Sequence, residues 1–459
     1  MTDCKSAPGW TGLPACWQIE GRSWLVCTLV LLLGCLPHQA SARKIEQIST
    51  PGGIKIWLVR EPAIPLVAMR FAFEGGALQD PAGKEGLAAT MAALLSEGAG
   101  DLDASAFARR LADAGVQLSF NAARDQIYGG LDVLSKRLAE AVEPTRLALS
   151  QPRFDADAIE RTRGQRIADL EISANEPRSI AFNRWYSEVF AGHVYGRPVN
   201  GAVVSLRAIQ REDLVRQHRR LLARSGLRIV IVGDLDDKAA IAAIAAIDRL
   251  FGGLPAVATL DAQAKPVPRR LGAPVVVEKD QPLATAAFGA EALPADHADF
   301  PALEVLRQIV GSGDFDSTLV DEIRVKRGLA YSVSLSLIHD AKASVLLGGM
   351  ATKSENMDEA RRVLLEVLGR VASDGPAAEP FANAKRYLTG SYLLDFDTNA
   401  KLASSLLKLW LEGRAPEYVA ERNARIEKVG LDDVKRVARQ LLDPARLSMT
   451  IVGRKAPAQ

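Results

Sequence analysis

The chain has 459 residues with nearly balanced charge, 57 basic against 55 acidic side chains for a net charge of +2. Hydrophobic content of 48% and charged content of 24% are ordinary for a globular protein, and the length calls for two or more domains. No basic run and no aromatic-studded basic patch occurs, which argues against a nucleic-acid partner.

The first segment predicts export. Arg22 precedes an apolar run from Trp24 to Leu36, and Ala40-Ser41-Ala42 follows. A basic residue, an apolar core of about a dozen residues and small residues at the cut site make a secretory signal. The run is too short to cross a bilayer, which takes about 20 apolar residues. The expected cut lies after Ala42, leaving a periplasmic or secreted chain with no transmembrane span. Leu32-Leu33-Gly34-Cys35 also resembles a bacterial lipoprotein cleavage site, so anchoring through an acylated Cys35 is the alternative. The polar stretch before Arg22 is long for such a segment, and translation starting later than Met1 would account for it. All four cysteines (Cys4, Cys16, Cys27, Cys35) fall in this segment. The mature chain would then have no disulfide and no thiolate metal site.

Residues 43–251 read as a first α+β domain. Strands are predicted at Ile45–Ser49, Lys55–Arg60 and Leu66–Phe73, with Pro-Gly-Gly and Glu-Pro turns between them. Helices follow at Gly86–Glu97 and Ser105–Ala114, the second stopped by Gly115. Strands at Gln117–Asn121 and Gln126–Val133 lead to helices at Lys136–Ser150 and Ala156–Glu171 and a helical region to Phe190. A helix at Glu212–Leu222 and a strand at Arg228–Val232 close the half. Residues 252–270, with Pro255, Pro266 and Pro268 and few large apolar side chains, read as a tether.

Residues 271–459 repeat the scheme. Strands are predicted at Val275–Lys279, Ala284–Gly289 and Ser344–Ala351, and helices at Pro301–Val310, Asn356–Ala372 and Pro380–Leu394 with more helix beyond. The apolar helix surface near Leu402–Leu411 reads as core rather than interface. The ends of the halves match: Glu212-Asp213-Leu214 leads to Leu227–Gly233, and Asp432-Asp433-Val434 leads to Ser448–Gly453. Helix, buried strand and glycine at similar spacing twice predict a duplicated unit.

Leu319 to Val333 carries the chemistry. Leu319, Val320 and Ile323 form an apolar helical stripe, Gly328 ends the helix, and Ala330 to Val333 run extended. Arg324 and Tyr331, seven apart across that break, can face one cavity. A guanidinium fork and a phenol suit a peptide carbonyl or carboxylate. The plainer reading of the same spacing is a solvated helix arginine and a half-buried strand tyrosine.

On these residues the chain resembles the pitrilysin/insulinase (M16) family of zinc metallopeptidases and their inactive partners, over nearly all of residues 44–453. The resemblance rests on Gly311-Ser312-Gly313, Asp316-Ser317, Leu319, Arg324 and Arg327-Gly328-Leu329-Ala330-Tyr331. Gly75-Gly76, Gly86-Leu87-Ala88 and Gly192–Pro198 add to it. It implies two similar M16-type α+β domains forming one half of a clamshell, and it implies that Arg324 and Tyr331 hold substrate backbone. The pattern breaks at the catalytic motif. Family proteases carry His-x-x-Glu-His on the helix after Gly-Leu-Ala, two zinc ligands one turn apart and a base. The matching positions here are Ala89, Ala92 and Ala93.

No replacement ligand set is evident. His193, His218, His297 and His339 are far apart in sequence. Glu160, Asp169 and Glu171 lie where the family draws its third ligand, but without the histidines they read as solvated helix charges. The expectation is therefore no metal in this chain and zinc in a partner M16 subunit, with peptides as substrates. A peptide-binding or assembly protein of the same fold without proteolytic role is the alternative, and a self-sufficient enzyme with another site is the third reading.

Overall fold

The computed structural model describes residues 44–454 apart from 314 and 315. The leader read at 1–42, with its cut site and its cysteines, lies outside the described residues. The first half runs β1 (Ile45–Ser49), β2 (Lys55–Arg60), β3 (Leu66–Glu74), α1 (Leu87–Leu94), α2 (Ala104–Ala114), β4 (Gln117–Ala122) and β5 (Gln126–Leu134). It continues with α3 (Leu138–Ser150), α4 (Ala156–Ser173), α5 (Pro177–Val189), α6 (Val203–Ala208), α7 (Arg211–Leu221), β6 (Arg228–Gly233) and α8 (Asp237–Phe251). The second half runs β7 (Val275–Glu278), β8 (Leu283–Glu291), α9 (Phe300–Gly311), a π-helical stretch Val320–Val325, β9 (Ser332–His339) and β10 (Ser344–Lys353). It ends with α10 (Met357–Asp374), α11 (Ala378–Ser391), α12 (Asn399–Leu411), α13 (Tyr418–Glu427), α14 (Leu431–Leu441) and β11 (Ser448–Gly453).

The strand orders show the duplication. One sheet is β1-β2-β6-β3-β5-β4 and the other is β7-β11-β8-β10-β9. Removing β1 leaves the same order in both. In each, the late strand pairs parallel to one neighbour (β6 with β2, β11 with β7) and antiparallel to the other. The helices before these strands open alike. Asp213 accepts from the Gln210 N–H at 2.9 Å and Asp433 from the Gly430 N–H at 3.0 Å, satisfying donors a helix start leaves open.

Why β6 is an unbroken apolar run follows from what covers it. Ile229 and Ile231 enter the core beneath the helices of their own half. Val230 and Val232 point the other way, onto Phe396, Leu402, Leu406 and Leu407, residues of the second half. A strand buried on both faces cannot alternate with polar residues. β11 is covered in the same manner, with Met449 and Ile451 in its own core and Val452 against Trp185 and Phe190 of the first half. The halves thus exchange helices, α12 lying on the first sheet and α5 on the second. Polar bonds fix the exchange. The Trp185 indole donates to the Ser448 carbonyl at 3.0 Å, Thr450 Oγ1 to the Ala181 carbonyl at 2.7 Å, and Asn399 Nδ2 to the Leu66 carbonyl at 2.9 Å.

Three features differ from expectation. Helix α8, absent from the sequence reading, is capped by Asp236, which accepts from the Ala239 N–H at 2.7 Å. It buries Ala243, Ala246, Ile247 and Leu250. The short α6 was also missed. The segment 252–270 is pinned along its length and is no free tether. Arg224 and Ser225 donate N–H to the carbonyls of Pro255 and Ala256 at 2.9 and 3.0 Å, and the Asp261 N–H reaches Gln79 Oε1 at 2.7 Å.

Candidate functional site

Helix α1, where the family motif would stand, is built with care although its ligands are gone. The chain enters through Gly86 at φ 91°. A side chain there would need a left-handed backbone, and its Cβ would meet the Asn200 carbonyl oxygen at 2.7 Å. Buried Asp80 accepts from the Gly86 and Ala88 N–H groups, each at 2.9 Å, and so caps the helix. Burial pushes the Asp80 carboxyl up to about 7 against the pull of those N–H bonds. Ala89 is 6% exposed and Ala92 0%, while Ala93 is partly exposed. Methyl groups at these positions offer no ligand and no base.

The charged residues around α1 do not converge on it as a metal site. Glu160, Asp169 and Glu171 are all exposed on α4. Glu160 pairs with Arg163, and Asp169 accepts from Gln165 at 3.0 Å. Arg166, from the same helix, turns inward instead. Its Nη2 reaches Asn200 only at 3.5 Å, and its Nε is buried with no hydrogen-bond partner. Burial lowers its pKa. The guanidinium therefore stands beside Asn200, next to the α1 entry.

Arg324 and Tyr331 are both at the surface. Leu319, Val320 and Ile323 are buried as the stripe requires, but the helix they anchor is wound as a π-helix. The Lys326 N–H bonds to the Asp321 carbonyl at 2.9 Å, a reach of five residues. Gly328, at φ 63°, then turns the chain, its N–H donating to the Arg324 carbonyl at 3.1 Å. Tyr331 is 54% exposed, and its N–H bonds to the Ala351 carbonyl at 2.9 Å, which attaches it to β10 at the head of β9. Three cations around this stretch share one carboxylate. Lys326, Arg327 and Arg370 meet Glu322 at 2.8, 2.9 and 3.3 Å, and hydrogen bonds from Lys326, Arg327 and Arg370 hold its carboxyl down to about 2. Arg324 is exposed beside that cluster.

The four described histidines serve locally. His193 Nδ1 accepts from the Tyr195 N–H at 3.2 Å, which leaves Nε2–H to donate to the Ala264 carbonyl at 3.0 Å. Buried His218 contacts the Leu149 carbonyl at 2.8 Å, His297 accepts from the Asp299 N–H at 3.0 Å, and His339 Nδ1 meets Ser344 Oγ at 2.8 Å. Among the described residues no three His, Cys, Asp or Glu side chains are placed to hold a metal ion. No described helix is long and apolar enough to cross a membrane.

One polar cluster was not anticipated. Tyr195, from the Gly192–Pro198 motif, is fully buried and donates its hydroxyl to Asp125 at 3.0 Å. The β9–β10 turn completes the cluster: the Ala341 N–H donates to Asp125 at 2.8 Å and the Lys342 N–H to the Tyr195 hydroxyl at 3.0 Å. Arg124 lies over the Tyr186 ring at 4.3 Å and 3.5 Å from Asp340. Burial pushes Asp340 up to about 6 and raises Asp125. The cluster ties the strand that begins beside Tyr331 to the first half. The motif was visible in sequence, but nothing local revealed partners across the chain.

Comparison with known proteins agrees with this architecture. A model of the insulinase family (peptidase family M16) matches residues 55–203, and a model of the peptidase M16 inactive domain matches residues 208–388. A non-peptidase homolog from Helicobacter pylori is 24% identical over 434 residues, covering 93% of this chain and 98% of its own. An uncharacterized zinc protease from Mycobacterium tuberculosis is 25% identical over 407 residues, covering 88% of this chain and 92% of its own. Among solved structures, a peptidase M16 inactive domain from Pseudomonas fluorescens superposes with a TM-score of 0.84 at 23% identity, covering 91% of this chain and 99% of that one. A protease from Helicobacter pylori gives 0.79 at 16% identity, covering 90% and 99%.

Proposed function

The chain belongs to the M16 (insulinase) peptidase family, and from that membership we propose that it is the non-catalytic, substrate-binding subunit of an exported two-chain M16 zinc metallopeptidase. One observation carries the reading. The zinc-motif positions hold alanine, while Arg324 and Tyr331 are both kept at the surface on a turn braced by the Glu322 cluster. The partner subunit supplies zinc and its base; this chain supplies part of the chamber wall and the Arg/Tyr pair.

The physical chemistry is that of peptide capture. β4 and β9 are sheet edges, and an edge strand offers unpaired N–H and C=O groups to an extended peptide. Such pairing depends little on peptide sequence. Arg324 binds a substrate carbonyl or carboxylate through its planar fork, and Tyr331 donates to the oxygen that gains charge as the peptide carbonyl is attacked. Zinc, when bound by the partner, supplies the activated water. The place of action is the periplasm or the exterior, reached through the leader read before Ala42, with acylation at Cys35 as the alternative anchor.

The test is co-purification from the native cell envelope, with zinc and peptide cleavage measured on the chain alone and on what accompanies it. A zinc-bearing M16 partner, with cleavage in the pair and not in the lone chain, is the expected result. A metal-free chain with no peptidase partner would favour a peptide-binding or assembly protein, a reading that the name of the non-peptidase homolog supports.

A further inference from the structure

One end of the first sheet is apolar and open. The chain turns there from β2 to β3 through Glu61-Pro62-Ala63-Ile64-Pro65, and β5 ends beside the turn at Leu134. Leu66 and Leu134 are paired across β3 and β5. They share the face that α12 covers further along the sheet, but α12 begins at Asn399, whose side chain already reaches the Leu66 carbonyl. Ile64, Leu66 and Leu134 are 39%, 38% and 37% exposed, whereas Val67 and Val133, their neighbours on the opposite face, are each 1% exposed. Pro62, Ala63 and Pro65 are exposed as well. A contiguous apolar surface rimmed by polar residues marks an interaction site.

The turn is built to leave water. Pro62 and Pro65 have no N–H to satisfy. The Glu61 N–H donates to the Gly233 carbonyl at 2.8 Å, the Ile64 carbonyl accepts from the Leu66 N–H at 2.7 Å, and the Pro65 carbonyl accepts from the Ser135 N–H at 3.1 Å. A protein surface can offer backbone partners to a docked loop. Lipid offers none in its hydrocarbon, so a segment entering it must satisfy its own polar groups. The nearby charges form no field of one sign. Lys44 and Lys136 are exposed, Glu61 and Asp234 are half-buried, Arg60 pairs with Glu46 and Asp237, Arg137 pairs with Glu140, and Asp236 caps α8. Attraction at this end therefore comes from the apolar side chains, with the two lysines free to lay their stems on them and reach headgroup phosphates.

The start of the chain favours the same occupant. Ile45 pairs with Val59, so β1 begins at this end of the sheet, and the leader attaches there. β3 and β5 lie three and four strands from β1, about 15–20 Å away at ordinary strand spacing. The stretch from Leu36 to Lys44 covers up to about 30 Å. An anchor at Cys35 and this surface can therefore meet one bilayer together, and the tether raises the local concentration of the surface at the membrane.

We propose that this end of the first sheet docks on a lipid bilayer, Ile64, Leu66 and Leu134 entering the interface while the body of the chain stays in water. The inference rests on the export reading of the leader and is independent of zinc, Arg324 and Tyr331.

The exported chain offers a clean place for a probe. Its cysteines all fall in the leader, and a retained Cys35 is acylated, so Ile64→Cys introduces one free thiol. The thiol is labelled with the polarity-sensitive dye NBD and the chain is mixed with vesicles of phosphatidylcholine and phosphatidylglycerol. Brighter, blue-shifted emission is expected, quenched by nitroxides on the acyl chains. The same label at Val257→Cys, exposed near the start of β6 at the opposite end of the sheet, is expected to stay in water. Ile64→Asp is expected to weaken vesicle binding by about tenfold or more, the scale of one apolar side chain kept out. Leu134→Asp repeats the test from a strand, with far-ultraviolet circular dichroism checking the fold of both variants. No emission change with vesicles, an equal change at both labels, or unchanged binding in Ile64→Asp overturns the proposal. A change at residue 64 that needs no lipid and grows with protein concentration assigns the surface to a second copy and overturns it too. Mass spectrometry of the native N-terminus reads the leader separately. An acylated Cys35 with residue 64 in water removes this proposal alone, and a chain cut after Ala42 that still enters vesicles removes the anchor alone.

Discussion

Trp57 and Trp410 stack face to face, their ring centroids 4.6 Å apart and their planes within 2°. Trp57 belongs to β2 of the first sheet and Trp410 to α12 of the second half, so the stack marks the helix exchange that makes two homologous units one body. Beside it, Leu406 is completely buried against Val230 and Val232. Leu406→Ala is expected to destabilise the whole chain by about 2–5 kcal/mol, because the cavity forms where two halves meet and neither can collapse into it. Urea unfolding followed by tryptophan fluorescence checks this. A loss under about 1 kcal/mol, or melting of the second half alone, would refute the exchange as a source of joint stability.

The Asp340 carboxyl predicts a pH dependence. Its folded pKa is raised from 3.8 to about 6 by burial, so the folded state holds the proton more tightly than the unfolded chain. Stability from this group is full below the unfolded value and declines as pH rises through that window. Asp340→Asn removes the titration. Between about pH 4 and pH 7 the variant is expected to lose less stability than the parent, by about 2 kcal/mol. Parallel slopes in urea midpoints across the window would show that Asp340 does not titrate there. Asp125, also raised by burial, keeps some slope in the variant.

Much of this was legible from residue spacing, and the failures share a cause. β1 and β2 are where the turn residues between them put them, and the unbroken apolar run of β6 announced a buried strand. What covers it was not legible, because the stripe of Leu402, Leu406 and Leu407 states that α12 packs and not onto which sheet. Helix α8 escaped because half of its buried face is alanine, a weak hydrophobic signal. The π-helix at Val320–Val325 escaped because Leu319, Val320 and Ile323 give the same stripe in either winding. At the site, the three alanines and the exposed Arg324 and Tyr331 could be named from sequence. The Asp125–Tyr195–Lys342 cluster could not, since Asp125 lies 70 residues from Tyr195 and 216 from Ala341.

The Tyr331 hydroxyl is the sharpest test of the proposed role. Tyr331→Phe keeps the ring and the N–H bond to the Ala351 carbonyl and removes one donor. In the assembled pair, turnover is expected to fall by about a hundred- to a thousand-fold, the effect of deleting one oxyanion donor. Size-exclusion chromatography should show the pair intact, because an exposed phenol contributes little to a subunit interface of ordinary size. An unchanged rate would remove Tyr331 from the chemistry.

Rebuilding the missing motif separates two explanations of its absence. If only ligands were lost, Ala89→His, Ala92→Glu and Ala93→His together would restore a zinc site. The packing argues otherwise. Ala92 is 0% exposed within the core under the first sheet, and a carboxylate there would be buried among apolar side chains. Ala92→Glu alone is expected to cost about 3 kcal/mol or more. The Arg166 guanidinium beside the α1 entry adds positive charge where a dication would be brought in. The triple variant is therefore expected to remain without zinc by elemental analysis and without peptide cleavage. Stoichiometric zinc in a folded triple variant would show that the surroundings of α1 still form a metal site and that the three alanines alone silenced it.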